Sequence, residues 1–273
     1  MGLGLIGGSL ALALRRRGVR VIGIDRDRAT LAAALRRRAI GVAADSIADG
    51  VRGAAMVVLA VPLQSLSACI RAVAVSATRD AVVTDVASVK APVLALARRA
   101  LPHPARFVGG HPMAGSERPG FANARADLFR NRVAVLTPVA GTSRLALRSV
   151  RRLWRTVGAR AITMNPERHD AAVARASHLP HLIAFALAPV IADRDARRVV
   201  PASFLDATRV AASDPALWEG ILLANRRNLV RAAREQARRS GSLLRAVRTG
   251  RPGPLRRLLR TWGAIRRRAA EPS

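Results

Sequence analysis

Met1-Gly-Leu-Gly-Leu-Ile-Gly-Gly-Ser9, with Asp25 closing the apolar run Val19-Arg-Val-Ile-Gly-Ile24 behind it, decides the fold of this 273-residue chain. The glycines at positions 2, 4 and 7 form a G-x-G-x-x-G spacing. In that pattern the first glycine allows a tight turn, the second lets backbone approach a pyrophosphate, and the third lets a helix pack closely on a sheet. The residues from Leu5 to Arg17 have helical character. The acid after the next strand is placed to receive ribose hydroxyls. The glycine motif alone is weak; the strand and acid at the right distance strengthen it. Gly2, Gly4, Leu5, Ile6, Gly7 and Asp25 are therefore the candidate dinucleotide-binding residues. Asp25 favours NAD, because a carboxylate repels a 2′-phosphate, while Arg26 beside it keeps NADP open.

Such a fingerprint normally follows a strand buried on both faces at the centre of the sheet. Here the chain opens at its first glycine, so we expect that strand to be missing, as from a start codon assigned too late.

Further along, strands and helices alternate. Ala29 to Arg38 reads as a helix, Met56 to Val61 as a buried strand stopped by Pro62, and Leu63 to Val75 as a helix. Ala81 to Val86 is a strand, followed by Ala87-Ser-Val-Lys90 and a helix to about Leu101. Arg106-Phe-Val-Gly109 reads as a short strand, Val133 to Thr137 as another, and Ser143 to Val157 as an amphipathic helix. This alternation predicts an α/β domain with a doubly wound parallel sheet. After residue 163 the pattern changes. Asn165-Pro166-Glu167 is a helix start, with an N-cap and proline at the first position, and the rest is almost wholly helical. The expected division is 1–164, a Rossmann-like dinucleotide-binding domain, and 165–273, an all-α substrate and dimerisation domain.

Half the residues are hydrophobic, enough for real cores. One cysteine, Cys69, excludes an internal disulfide and fits a reducing compartment. No signal peptide is visible, and the longest apolar run, Leu182 to Ala192, is short for a bilayer. The expectation is a cytoplasmic protein that engages no membrane. The formal net charge of +30 suggests nucleic acid. Against this, Lys90 is the one lysine among 47 basic residues, the arginines are spread along the chain, and tyrosine is absent. Stacking platforms for bases are therefore scarce, and a coding bias toward arginine accounts for the charge. The field can still draw in an anionic substrate.

Three other stretches carry chemistry. Gly109-Gly-His-Pro-Met-Ala-Gly-Ser-Glu-Arg-Pro-Gly120 is too rich in glycine and proline for a strand interior, so it reads as a loop placing His111 at the end of a strand. His169-Asp170 and Ser177-His-Leu-Pro-His181 lie on one long helix. On a straight helix His169 and His178 face opposite sides, so the three histidines form no single cluster. Pro180 should kink that helix and free a carbonyl. A metal at His178/His181 lacks a cysteine or carboxylate at ligand spacing, and His178 reads more simply as a satisfied core histidine. Ser203 to Trp218 holds Arg209 among small and apolar neighbours. Arg209 either binds a carboxylate in bidentate fashion or pairs internally with Asp206.

Together these pieces resemble the prephenate/arogenate dehydrogenase family of tyrosine biosynthesis. They are Gly2 to Ser9, Asp85 through Ser88-Val-Lys90, Gly109 to Glu117, His169-Asp170, Ser177 to His181, and Asp206-Ala-Thr-Arg209 through Ser213-Asp-Pro215 to Trp218. They occur in the family's order and span residues 2 to 218. The resemblance implies a Rossmann domain, a helical domain that makes a homodimer, and an oxidative decarboxylation with hydride transfer to NAD(P)⁺. It implies His111 and Ser88 as catalytic residues at the substrate's 4-hydroxyl. It also implies Arg209 on the substrate carboxylate, His181 and Trp218 lining the pocket, Glu117 gating it, and no metal. Prephenate is the expected substrate and arogenate the alternative. No chorismate mutase domain is recognisable in the sequence.

Two other classes compete. β-Hydroxyacid-type dehydrogenases share the plan, but many use a lysine on the helical domain, and the only lysine here is Lys90. An inactive relative that binds nucleotide or nucleic acid through its charge is the second.

Overall fold

The computed structural model describes residues 1–268; the last residues of the expected helical domain, 269–273, lie outside it. In the sheet half the order is α1 (Leu5–Arg15), β1 (Ile22–Gly23), α2 (Arg28–Arg36), β2 (Val42–Ala43), α3 (Ile47–Val51), β3 (Met56–Leu59), α4 (Leu63–Ser76), β4 (Val82–Asp85), α5 (Ala91–Ala100), β5 (Phe107–Pro112), β6 (Val133–Thr137), α6 (Arg144–Thr156) and β7 (Arg160–Thr163). The helical half follows with α7 (Pro166–Val173), α8 (Leu179–Leu187), α9 (Arg194–Arg198), α10 (Ala202–Thr208), α11 (Pro215–Ala224), α12 (Arg226–Arg248) and α13 (Pro252–Arg268). By compactness the chain divides into Met1–Arg226 and a second unit from Arg227 onward. The second unit carries most of α12 and all of α13.

Strands β3 to β7 form one sheet in sequence order, and β1 and β2 pair in parallel beside it. As expected, no strand element precedes α1, but Met1 and Gly2 make ladder-like bonds in its place. The Met1 amine donates to the Val58 carbonyl at 2.9 Å, the Ala60 N–H to the Met1 carbonyl at 2.8 Å, and the Gly2 N–H to the Ile24 carbonyl at 2.8 Å. Met1, on the β3 side, and Gly2, on the β1 side, therefore join the two sets of strands. The β3–β4, β4–β5 and β6–β7 pairs are parallel, but β5 and β6 run antiparallel. Residues 113–132, which connect them, contain no helix long enough for the crossover that a parallel pair needs.

Consecutive strand residues face opposite sides. Val83 and Phe107 pack with Leu66, Ile70, Val93 and Leu94 on one face of the sheet. Val82 and Val108 pack with Leu10, Leu14, Val150 and Trp154 on the other. Burial on both faces is why these strands read as continuous apolar runs.

Strand β5 extends beyond the sequence expectation and takes in Gly109, Gly110, His111 and Pro112, all buried. The two glycines do not turn the chain. A Cβ on Gly109 would lie 2.5 Å from the Thr137 hydroxyl, and one on Gly110 would lie 2.7 Å from the Asp85 carbonyl. Glycine here permits close approach of neighbouring strands.

Pro166–Ala192 is one continuous helical run of 27 residues, long and apolar enough to cross a membrane on length and composition alone. Its inward side carries His169, Asp170 and His178, each at most 3% exposed, the reverse of a lipid-facing surface.

Candidate active site

The N-terminus of α1 forms the first part of the site. Gly2 has φ +80° and its missing Cβ would collide with the Ala60 carbonyl; a Cβ on Gly7 would collide with the Gly2 carbonyl. Gly4 is different. It is the N-cap of α1, makes no side-chain cap, and a Cβ there meets nothing within 4 Å. The N–H groups of Leu5, Ile6 and Gly7 open this helix without intrahelical partners, an arrangement that favours a bound phosphate. Asp25 follows β1 and accepts from the Leu3 N–H at 2.6 Å and the Asp27 N–H at 3.0 Å. Both oxygens keep lone pairs for hydroxyl donors. These residues fit a dinucleotide.

Strand β5 carries the second part. Beyond the β4–β5 ladder, two side chains replace backbone partners at Gly110. Asp85 accepts the Gly110 N–H at 3.1 Å, and Lys90 Nζ donates to the Gly110 carbonyl at 2.7 Å. Lys90 also donates to Asp85, and both side chains are fully buried. Burial pulls the Lys90 ammonium below its usual range, opposed by Asp85 and Asp170. The clamp sets the position of the next residue, His111.

His111 is 8% exposed. Its Nδ1 lies 2.9 Å from Nε2 of His169 on α7. His169 Nδ1 lies 2.8 Å from Asp170 Oδ1. Asp170 also takes the first N–H groups of α5, from Lys90 at 2.7 Å and Ala91 at 2.9 Å. Lys90 itself supplies no side-chain cap to α5, so Asp170 caps it from another helix. The His111 imidazole is held well below its ordinary pKa, first by burial and then by the nearby His169, Lys90 and His178. It is therefore neutral at pH 7.

Between α7 and α8, Ala174–His178 forms a π-helical turn. Pro180 offers no N–H and its ring crowds the carbonyl four residues back, which opens the wider turn. That turn corrects the straight-helix geometry. His178 is brought to the buried side with His169, and Asn225 Nδ2 links it to α7, donating to the Asp170 carbonyl at 2.8 Å and lying 3.1 Å from His178 Nδ1. Burial, with contributions from His169 and His181, pushes the His178 imidazole down to about 4 against the opposing pull of Asp170. His181 Nδ1 donates to the Ser177 carbonyl at 2.9 Å, and its ring stacks on Trp218 at 3.5 Å between centroids.

Arg209 pairs with Glu117 at 2.6 Å and not with Asp206. The Glu117 carboxyl is held below its usual range by its own backbone N–H first, with Arg209 and Arg118 adding to this. Ser88 is half-buried in the loop between β4 and α5. His169, Asp170, Asn225 and the Asp85–Lys90 clamp are the participants that reading for site residues passed over. His169-Asp170 stood out in the sequence, but straight-helix geometry separated it from His178.

The family model described as "Prephenate dehydrogenase, nucleotide-binding domain" matches residues 10–163, and that described as "Prephenate dehydrogenase, dimerization domain" matches residues 165–261. The chain is 39% identical to a prephenate dehydrogenase of Bacillus subtilis over 82% of its length, and spans 63% of that relative. It is 36% identical to a cyclohexadienyl dehydrogenase of Zymomonas mobilis over 82% of its length and 79% of the relative. Among solved structures it resembles A. aeolicus prephenate dehydrogenase in complex with hydroxyphenyl propionate and NAD+, at TM-score 0.92 and 30% identity, covering 98% of this chain and 96% of that one. A Synechocystis arogenate dehydrogenase gives TM-score 0.85 and 30% identity, covering 98% of each chain.

Proposed function

Since the chain belongs to the prephenate dehydrogenase family, we propose that it oxidatively decarboxylates prephenate to 4-hydroxyphenylpyruvate with NAD⁺ as hydride acceptor. The observation that carries this reading is a buried His111 at the end of β5, fixed by His169 through a 2.9 Å contact. Bound at the α1 N-terminus and Asp25, NAD⁺ supplies the hydride acceptor. As hydride leaves the ring carbon bearing the 4-hydroxyl, that hydroxyl becomes a carbonyl and its proton goes to His111. The bond to the ring carboxylate then breaks, CO₂ leaves, its electron pair makes the ring aromatic and turns the carbonyl into a phenolate, and His111 returns the proton to that oxygen. A positioned base of this kind contributes on the order of 10²–10⁴ in rate.

Ser88 sits on the loop leading into α5 and is assigned to the same hydroxyl. Arg209 binds a substrate carboxylate, which displaces Glu117 from it; the Glu117–Arg209 pair thus acts as a gate. His181, stacked on Trp218, lines the pocket. We assign residues 1–164 to cofactor binding and residues 165–273 to substrate binding and homodimerisation. Leu244, Val247, Leu259 and Ile265 are each more than half exposed on α12 and α13, an apolar surface suited to a second copy. The proposed setting is the cytoplasm, with neither nucleic acid nor membrane as partner.

Reduced-nicotinamide absorbance tests this, with prephenate and arogenate offered separately, each with NAD⁺ and NADP⁺. Turnover of prephenate with NAD⁺ is expected. Preference for arogenate would reassign the substrate, and inactivity with both would remove the proposal.

A further inference from the structure

The chain of three side chains Asp170, His169 and His111 has a direction. Asp170 is an acceptor only. Its Oδ1 faces the Lys90 N–H at 2.7 Å and His169 Nδ1 at 2.8 Å, and its Oδ2 faces the Ala91 N–H at 2.9 Å. The contact at His169 Nδ1 therefore needs a proton on that nitrogen. In a neutral His169 ring the other nitrogen, Nε2, then has only a lone pair. That lone pair lies 2.9 Å from His111 Nδ1, so His111 must donate from Nδ1. Its remaining nitrogen, Nε2, is left as the acceptor. The three residues are between 1% and 8% exposed, so bulk water is not at hand to replace a partner.

We propose that Asp170 and His169 are positioning residues that hold His111 in the Nδ1–H tautomer and so present its Nε2 lone pair to the substrate hydroxyl. This rests on the reading of His111 as the base. Without the relay a neutral imidazole exchanges between two tautomers, and only one can accept the proton. Asp170 also ties this selection to the frame of the sheet half. The same carboxylate that orients His169 caps α5 and lies behind Lys90, whose ammonium fixes Gly110, the residue before His111. Tautomer and position of the base are thus set through one carboxylate.

The test combines ¹⁵N-histidine NMR of the intact protein with steady-state kinetics of four variants. In the unaltered protein at neutral pH, His111 is expected to carry its proton on Nδ1 and to show a bare Nε2. Asp170→Asn can turn its amide toward His169 and reverse both tautomers, lowering kcat on the order of 10²–10⁴-fold. Because that change also removes the α5 cap, His169→Leu and His169→Gln carry the decision. Leucine offers no acceptor, so kcat should fall at least about tenfold with KM for prephenate little changed, as expected for an interaction that matters in the transition state. Glutamine, whose carbonyl can accept from His111 Nδ1, should restore much of that loss and the bare Nε2 signal. A proton on His111 Nε2 in the unaltered protein would overturn the proposal, as would His169→Leu with unchanged kcat. If His111→Asn is inactive while His169→Leu is fully active, the relay fails and the base stands. If His111→Asn turns over normally, the base reading fails as well.

Discussion

Protonating His178 should destabilise the protein by an amount that its burial sets. The ring is 1% exposed, with Asn225 at its Nδ1, and its pKa falls from 6.5 to about 4 on folding. The folded state thus resists a proton that the unfolded chain binds at the ordinary value. The stability from a neutral His178 is complete above pH 6.5 and is lost as pH falls toward 4. Linkage gives a loss of about 2 kcal/mol by pH 5 and about 3 kcal/mol by pH 4. Carboxylates titrate over part of this window, so the quantity to compare is the difference between the wild type and His178→Gln, which has no titratable ring. Urea unfolding at fixed protein concentration, at half-unit steps from pH 7.5 to 4, measures it. The wild-type curve should approach that of the variant by these amounts as pH falls. Parallel curves across the window would refute the argument, because they would mean that His178 takes up its proton equally in both states.

Three further outcomes follow from the site. His111→Asn should lower kcat on the order of 10²–10⁴-fold with little change in substrate KM; near-normal turnover would remove the base assignment. Arg209→Gln should raise KM for prephenate by about ten- to a hundredfold, the worth of one charge-assisted hydrogen bond, whereas Glu117→Gln should lower KM by releasing Arg209; initial-rate kinetics would contradict the gate if both left KM unchanged. Gly4→Ala should leave unfolding within about 0.5 kcal/mol of wild type yet weaken NAD⁺ binding, since its Cβ enters open space at the α1 N-terminus; Gly7→Ala should destabilise the fold itself, and calorimetry with and without NAD⁺ separates the two.

Local pattern made most of the fold legible. The apolar runs at Met56–Leu59 and Val82–Asp85 and the Asn165-Pro166 helix start all stand where spacing and capping rules place them. Misreadings arose where a residue type serves two purposes. Gly109-Gly110 looks like punctuation, yet both glycines lie in a strand because neighbouring strands crowd them. The short β2 and α3, at Val42–Ala43 and Ile47–Val51, have too few residues to display a period. In the site, His111, Arg209 and Trp218 were visible through motif resemblance. The contacts joining them were not. Arg209 meets Glu117 across 92 positions and His111 meets His169 across 58, and no local rule carries such separations. The His169–His178 geometry failed for a specific reason: Pro180 signalled a disturbed helix, but a π turn and a kink change the angular bookkeeping differently.

The one lysine tells against reading the chain's charge as uniform. With arginine supplying every other basic side chain, Lys90 stands where no arginine would fit. Among the described residues no arginine joins Lys90 in the buried polar set. An ammonium is compact, and here it has two acceptors, the Asp85 carboxylate and the Gly110 carbonyl. A guanidinium is larger and planar and carries five N–H donors. In this enclosed pocket several of them would lack partners, and each buried unsatisfied donor costs about 1–3 kcal/mol. Lys90→Arg should therefore be non-conservative, destabilising the protein by about 2–5 kcal/mol and shifting β5 at Gly110. The activity of the molecules that remain folded should fall because His111 is displaced, while that of Arg98→Lys, a change on the exposed side of α5, should not. Urea unfolding and kcat per folded molecule measure the two effects. A Lys90→Arg protein with wild-type stability and kcat would show that the clamp does not set the position of the base.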